Sequence, residues 1–307
     1  MKLGRVATAG LCVVVSGCAA ILGIDDGIPR DAGSDAAPDV VVEAGPDAAA
    51  RCSPQKAFGT PVAVAPLDTG NDEALARLSR DELSLYFERA SGSIDLYVAT
   101  RASAAQPFDL PAAVASLDTG GLEADPSLAI DGKLLYFVTD REGGAGAYDI
   151  WTAAPDDAGF GALAPLSGVG STGNEQYPYA LASSLYFASD RAGIPAIYRA
   201  DLAGASASNV TLVSPADAGV QIVPVVSEDE LVMYFAAAGA SDSSTDFDIW
   251  TTTRTATSQP WSTPVRVTEL ATTSAEYPTW LSPDLCRLYI STNRGGNYDI
   301  YLASRSP

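Results

Sequence analysis

The chain has 307 residues, carries 38 Asp and Glu against 18 Lys and Arg for a formal net charge of −20, and contains no histidine. The missing imidazole excludes Ser-His-Asp and Cys-His nucleophile systems and histidine zinc sites. The acidic balance repels phosphate backbones and anionic lipid surfaces, so nucleic acid is not an expected partner.

Met1–Gly17 starts with Lys2 and Arg5, continues through an apolar core from Val6 to Val15, and ends in Val15-Ser16-Gly17-Cys18. It resembles a bacterial lipoprotein signal, in which Cys18 is lipidated and becomes the first residue of the mature chain. An uncleaved membrane anchor is the competing reading, because no charge occurs from Val6 to Ile24. Thr8, Gly10, Ser16, Gly17 and Gly23 make that stretch only weakly apolar, which favours the lipoprotein. Ala19 rather than Asp follows Cys18; in a two-membrane bacterium the resemblance to sorted lipoproteins implies the outer membrane. The lipid is then the only attachment to a membrane. Residues 18–57, mostly Ala, Asp, Pro and Gly, cannot bury enough surface to offset chain entropy and are read as a disordered tether.

From residue 58 to 307 a unit of about 50 residues recurs, marked by Tyr86, Tyr136, Tyr186, Tyr234 and Tyr289. Each copy holds three short apolar runs separated by turn residues, such as Leu134-Leu135-Tyr136-Phe137-Val138 and Asp149-Ile150-Trp151, and these read as strands. A fourth run begins with an aromatic in most copies, at Phe58, Phe108, Phe160 and Trp261, and with Asn209 in the plain version. Four strands per repeat make a propeller blade. The expectation is an all-β chain: one β-propeller of five four-stranded blades.

The repeats EYPTWLSPDLCRLYISTNRGGNYDIY and EQYPYALASSLYFASDRAGIPAIY resemble the TolB-like, WD-like β-propeller repeat, with its Pro-x-x-Ser-Pro-Asp-Gly, Leu-Tyr-Phe-x-Ser-x-Arg and Asp-Ile-Tyr signatures. The resemblance covers all five repeats and is specific for fold rather than function. It implies a six-bladed ring as the alternative to five. The Asp-Gly turn survives only as Asp131-Gly132, and neither the α/β domain that precedes the propeller in TolB nor a hydrolase domain accompanies the repeats.

No cofactor motif is present, because the glycines after Arg141 and Arg294 sit in hairpin turns rather than a phosphate loop. Asp242, Asp246 and Asp248 in the turn SDSSTDFD offer carboxylates to a hard cation but lack the Gly and distal Glu of an EF-hand loop. A solvated turn with Asp248 capping its strand is preferred, and no metal is expected. Asp95, Asp149, Asp248 and Asp299 head the third strands, where an Asp accepting backbone N–H groups explains the recurrence.

Glu73, Glu123, Glu175 and Glu276 precede the first strand of four blades, and Gln221 fills the slot in the fourth blade. At a channel mouth, four carboxylates could serve as the acid and base or nucleophile of a five-bladed glycosidase. Each Glu, however, has a candidate partner in Arg89, Arg141, Arg191 or Arg294, and where Gln221 replaces Glu the Arg is replaced as well. A carboxylate held by Arg is a poor general acid, so structural ion pairs are preferred. Tyr177 and Tyr277 stand beside these positions and are candidates to stack on a sugar or peptide.

The last repeat ends without a fourth strand, and Phe58–Val64 is a fourth strand without a blade. Pairing with Tyr298–Ala303 would close the ring and remove exposed edges. Strand alternation puts Cys52 near Cys286, which sits in the first turn of the last blade. A bridge between them and two unrelated cysteines are the alternatives. The function expected from these readings is non-enzymatic: a monomeric, membrane-tethered propeller that binds another cell-envelope component, protein or glycan, across its channel face, with Glu73, Glu123, Glu175, Gln221, Glu276, Tyr177 and Tyr277 as candidate contacts. The alternative is a glycoside hydrolase using channel carboxylates.

Overall fold

The computed structural model describes residues 51–157, 159–213, 219–238 and 247–307. The residues expected to form the signal segment, with Cys18, most of those expected to form the tether, and Asp242 and Asp246 lie outside the described residues.

Five four-stranded antiparallel sheets form a ring. The first blade comprises β2 (Asp72–Leu78), β3 (Ser84–Ala90), β4 (Ile94–Thr100) and β5 (Ala112–Ala113); the second β6 (Glu123–Leu128), β7 (Leu135–Thr139), β8 (Asp149–Asp156) and β9 (Gly159–Pro165). The third holds β10 (Glu175–Ala180), β11 (Ser184–Ser189), β12 (Ala196–Ala203) and β13 (Ser206–Leu212); the fourth β14 (Gln221–Val226), β15 (Val232–Ala238), β16 (Phe247–Thr253) and β17 (Val265–Arg266). The fifth joins β18 (Glu276–Leu281), β19 (Arg287–Thr292) and β20 (Asp299–Ser304) to β1 (Val62–Ala63) from the other end of the domain. The ring is therefore five-bladed, and no helix occurs among the described residues.

Closure follows from the pairing of β1 with β20, Val62 opposite Leu302 and Ala63 opposite Tyr301. Cys52 and Cys286 form a disulfide with Cα atoms 5.1 Å apart across 234 residues of sequence. The Cys52 N–H also donates to the Asp284 carbonyl at 2.8 Å, so the chain just before β1, expected to be disordered up to residue 57, is instead docked on the fifth blade from Cys52.

Three of the fourth strands are shorter than expected. β1, β5 and β17 each start four residues after their aromatic, directly behind Pro61, Pro111 and Pro264. Proline has no N–H to give a ladder, so the segment before it holds on through single bonds, as from the Gly59 N–H to the Ser304 carbonyl at 2.8 Å. The aromatic then acts as an anchor beneath a guanidinium: Arg101 lies 4.4 Å over Phe108, Arg254 4.3 Å over Trp261 and Arg305 4.3 Å over Phe58.

The core lies between blades. Tyr136, Tyr186, Tyr234 and Tyr289 are fully buried, as are Phe137, Phe187 and Phe235 beside the first three and Phe87 beside the half-buried Tyr86, all in second strands. A second-strand tyrosine packs on the next blade: Tyr86 meets Phe160 and Tyr234 meets Phe58, each with ring centroids 6.0 Å apart and edge-on.

Every inner strand carries a bulge against its neighbour, as between Ala74 and Arg77, Ala124 and Ser127, Gln176 and Tyr179, and Ile222 and Val225. Leu75, Asp125, Tyr177 and Val223 sit in these bulges with φ of 52 to 55°, an unfavourable region for such residues that re-aims their side chains. In the fifth blade Pro278 stands where the others have the left-handed residue. Its ring forbids positive φ, and the bulge moves on to lie between Pro278 and Trp280.

Candidate binding site at the channel mouth

The acids that open the inner strands are built into the blades. Glu73, Glu123, Glu175 and Glu276 are each 0% exposed. Glu123 accepts from the Thr119 N–H at 3.2 Å, the Thr119 hydroxyl at 2.6 Å, the Thr139 hydroxyl at 3.2 Å and Arg141 Nη2 at 3.1 Å. Glu175 repeats the pattern with Ser171, Ser189 and Arg191, the last at 3.1 Å. Glu276 does so with Thr272, Thr292 and Arg294 at 3.4 Å, and Glu73 is held by Thr69 and by Arg89 Nε at 2.6 Å. The same arginines reach back to the loop carbonyls of Leu67, Leu117, Val169 and Leu270. Each cluster thus pins the loop that enters a blade to that blade's second strand. Gln221 is also 0% exposed, and its amide finds no hydrogen-bond partner among the described residues.

The remaining sequence candidates also find definite places. Asp149 accepts a backbone N–H, that of Gly146 at 3.0 Å. The other strand-heading aspartates take side-chain donors instead: Asp95 from Ser93, Asp248 from Arg266 at 2.6 Å and Asp299 from Asn297. Two carboxylate trios, Asp68–Glu73–Asp299 and Asp95–Asp118–Glu123, bring oxygens within 4.8 Å of one another at successive blade junctions. The glutamate of each is already taken by an arginine. Burial, then the charges of Asp68, Glu73 and Asp72, push Asp299 up to about 6.

What lines the mouth itself is a different set of residues. A cavity of about 240 Å³ opens among Asp72, Leu75, Glu88, Tyr177, Tyr277 and Tyr298. Tyr277 follows its glutamate by one residue and Tyr177 by two, yet both reach the same cavity. Two of its tyrosines are in ring contact, Tyr277 lying 5.9 Å from Tyr298, and Phe247 packs 5.5 Å from Tyr277, centroid to centroid.

Two carboxyl groups that the repeat pattern does not advertise belong to this site, Glu88 in the lining and Asp125 behind it. The Asp125 N–H donates to Glu88 Oε2 at 3.0 Å, and the Tyr177 N–H donates to Asp125 Oδ2 at 2.9 Å. Burial, followed by the neighbouring Asp125, pushes Glu88 up to about 8. Burial likewise pushes Asp125 up to about 7, against the opposing pull of the Tyr177 N–H and Arg77. Burial also drives the Tyr177 phenol well above its usual range, with Asp125 and Glu88 adding to the effect. The signal was present in the sequence, but only column by column. Asp125 falls where other blades have Leu75, Tyr177, Val223 and Pro278, and Glu88 where they have Val138, Ala188, Ala236 and Ser291.

The opposite end of the channel is narrow. Arg77, 3% exposed, lies with its guanidinium 4.8 Å over the Tyr179 ring, and burial lowers it to about 10. The space left beside Arg77, Tyr179 and Trp280 is about 40 Å³. Beyond it, Arg80 of the first blade holds Glu228 of the fourth through two bonds of 2.8 and 3.1 Å, bridging blades that are not neighbours.

Fold and site together define a five-bladed β-propeller with a tyrosine-lined pocket at one mouth of its channel. No family model matches the chain, and no curated protein matches it. Among solved structures it is similar to the α-L-arabinofuranosidase of Podospora anserina solved in complex with cellotriose, with 13% identity, TM-score 0.54, and coverage of 82% of this chain and 96% of that one. The catalytic domain of the Coprinopsis cinerea GH62 α-L-arabinofuranosidase is matched at 14% identity and TM-score 0.52, over 81% and 96%. TolB from Acinetobacter baumannii is matched at 14% identity and TM-score 0.49, over 78% of this chain and 56% of that chain. At these identities the likeness is one of fold.

Proposed function

We propose that the protein is a non-enzymatic, lipid-tethered propeller that binds a segment of another cell-envelope component, protein or glycan, in the mouth pocket. In this reading Cys18 carries the lipid, the tether spaces a monomeric propeller from the outer membrane, and the glutamate ring is architectural. The observation that carries it is the cavity walled by Tyr177, Tyr277 and Tyr298. Such rings offer broad contact area at low conformational cost, with hydroxyls able to hydrogen-bond. Cross-linking in intact cells followed by pull-down tests this: Tyr277→Ala and Tyr298→Ala proteins should lose a partner that the wild type retains while melting normally. Retention of every partner would count against it.

One observation favours a hydrolase as the second reading. Glu88 and Asp125 are channel carboxyl groups with raised proton affinity, as a general acid requires. Against it, the two stand side by side on adjoining blades. The inner strands of the other three blades, β10, β14 and β18, bring no carboxyl but the enclosed Glu175 and Glu276. Turnover of a chromogenic α-L-arabinofuranoside that disappears in Glu88→Gln would favour the hydrolase.

A further inference from the structure

We propose that the mouth pocket is an ammonium site, built to take the side chain of a lysine presented by the partner. This rests on the reading that the mouth is a binding face, and it specifies the chemistry of what enters.

The pocket is acidic and aromatic, with no cationic side chain among its lining residues. Asp72 stands at the rim and Glu88 in the wall, with Asp125 directly behind it. Glu88 uses Oε2 for the Asp125 N–H and Asp125 uses Oδ2 for the Tyr177 N–H. Glu88 Oε1 and Asp125 Oδ1 accept no hydrogen bond from the described residues. An alkylammonium has three N–H donors and no acceptor, so it complements carboxylate oxygens that lack donors. The faces of Tyr177, Tyr277 and Tyr298 add attraction for a cation held near them. Arg77, whose charge acts on Asp125, is buried and turned onto Tyr179. A calcium ion wants an all-oxygen shell, whereas an unbranched aminoalkyl chain suits a cavity of about 240 Å³ with apolar flanks at Leu75 and Ile94. The chain's net charge of −20 further favours a cationic partner.

A pH dependence follows, because the cation binds the ionised carboxylates. The groups around the two carboxyls are Asp72 from β2, Glu88 from β3, Asp125 from β6, Tyr177 from β10, Tyr277 from β18, and Tyr298; Arg77 of β2 lies outside the pocket, but its charge acts on Asp125. Glu88 and Asp125 ionise near 8 and 7. Arg77 stays charged and Tyr177 neutral through this range, and a lysine ammonium keeps its proton until about pH 10. Affinity should therefore rise between pH 6 and 8.5.

The test is an NMR titration of the protein with terminally blocked Gly-Gly-Lys-Gly-Gly and with its Nε-acetyl-lysine counterpart. The lysine peptide should bind wild type, at least tenfold more tightly at pH 8.5 than at pH 6 and at least tenfold more tightly than the acetylated peptide. Glu88→Gln should weaken it at least tenfold, while Asp109→Asn, which removes an exposed charge elsewhere, should not. Equal binding of the two peptides, or equal loss in Glu88→Gln and Asp109→Asn, overturns the ammonium site. If neither peptide binds but Tyr277→Ala still loses its cross-linked partner, the ammonium inference falls and the binding face stands. If Tyr277→Ala also keeps every partner, both fall.

Discussion

Arg305, two residues from the C-terminal Pro307, lies 4.3 Å over the ring of Phe58, which belongs to the opposite end of the domain. Its guanidinium donates to the carbonyls of Leu285 at 2.8 Å, Pro54 at 3.2 Å and Lys56 at 3.1 Å, so one side chain gathers both termini onto the fifth blade. Arg101 and Arg254 play the equivalent part over Phe108 and Trp261, where the aromatic is contiguous with its own chain segment. Only in the fifth blade does the contact join the chain's two ends. Arg305→Ala leaves three carbonyls short of a donor and should cost about 3 kcal/mol. Limited proteolysis should then cut first around residues 52–60. An unchanged denaturant midpoint would show that β1 is held by other contacts.

The disulfide acts on the same joint. Because it encloses 234 residues, reduction should lower unfolding free energy by on the order of 5 kcal/mol in the chain-entropy picture. Denaturation with and without reductant measures this. Combined with Arg305→Ala, reduction should free β1 from β20, seen as faster amide exchange at Leu302.

The glutamate ring predicts non-additive energetics. Glu123→Ala strands Arg141, whose side chain is 11% exposed, and should cost about 3–5 kcal/mol, as breaking a buried pair does. The double variant Glu123→Gln with Arg141→Ala imitates the fourth blade, where Gln221 is found without an arginine. It should cost less than the sum of its single changes by about 1–3 kcal/mol. Strict additivity in urea titrations would mean the two side chains act independently.

Glu88 predicts a pH dependence of the opposite kind. Its proton affinity is higher in the folded state, so the protein loses stability as pH rises from the unfolded carboxyl's range near 4.5 to about 8. Glu88→Gln keeps an oxygen to accept the Asp125 N–H and removes that loss. The variant should match wild type near pH 4 and exceed it by about 2 kcal/mol above pH 8. A constant difference across pH would mean that Glu88 ionises in the folded protein as it does in the unfolded chain.

The five blades were legible because each repeat must supply its own strand alternation and its own second-strand tyrosine, Tyr86, Tyr136, Tyr186, Tyr234 and Tyr289, so the pattern recurs five times over. Closure was legible because the last repeat lacks a fourth strand and Phe58–Val64 is one without a blade; strand direction then put Cys52 near Cys286 but left the bridge and two unrelated cysteines as alternatives, which the structure resolves as a disulfide. The length of the fourth strands was not, since Pro61, Pro111 and Pro264 cancel donors that an apolar run would suggest. The site was least legible. Looking for chemistry in columns that repeat leads to Glu73, Glu123, Glu175 and Glu276, which repetition has built into the scaffold. Glu88 and Asp125 are exceptions to their columns. The convergence of Tyr177 and Tyr277 depends on bulges that shift by one residue at Pro278, a displacement no alignment of the repeats displays.

Site-specific photo-cross-linking in intact cells tests the central claim, that the tyrosine mouth is where this propeller meets its partner. A benzophenone amino acid replaces Tyr277 in one protein and Leu110, 80% exposed on the first blade's outer edge, in another. The Tyr277 position should give a discrete cross-linked species that the Leu110 position does not. Cross-links from Leu110 alone, or the same species from both, would contradict it.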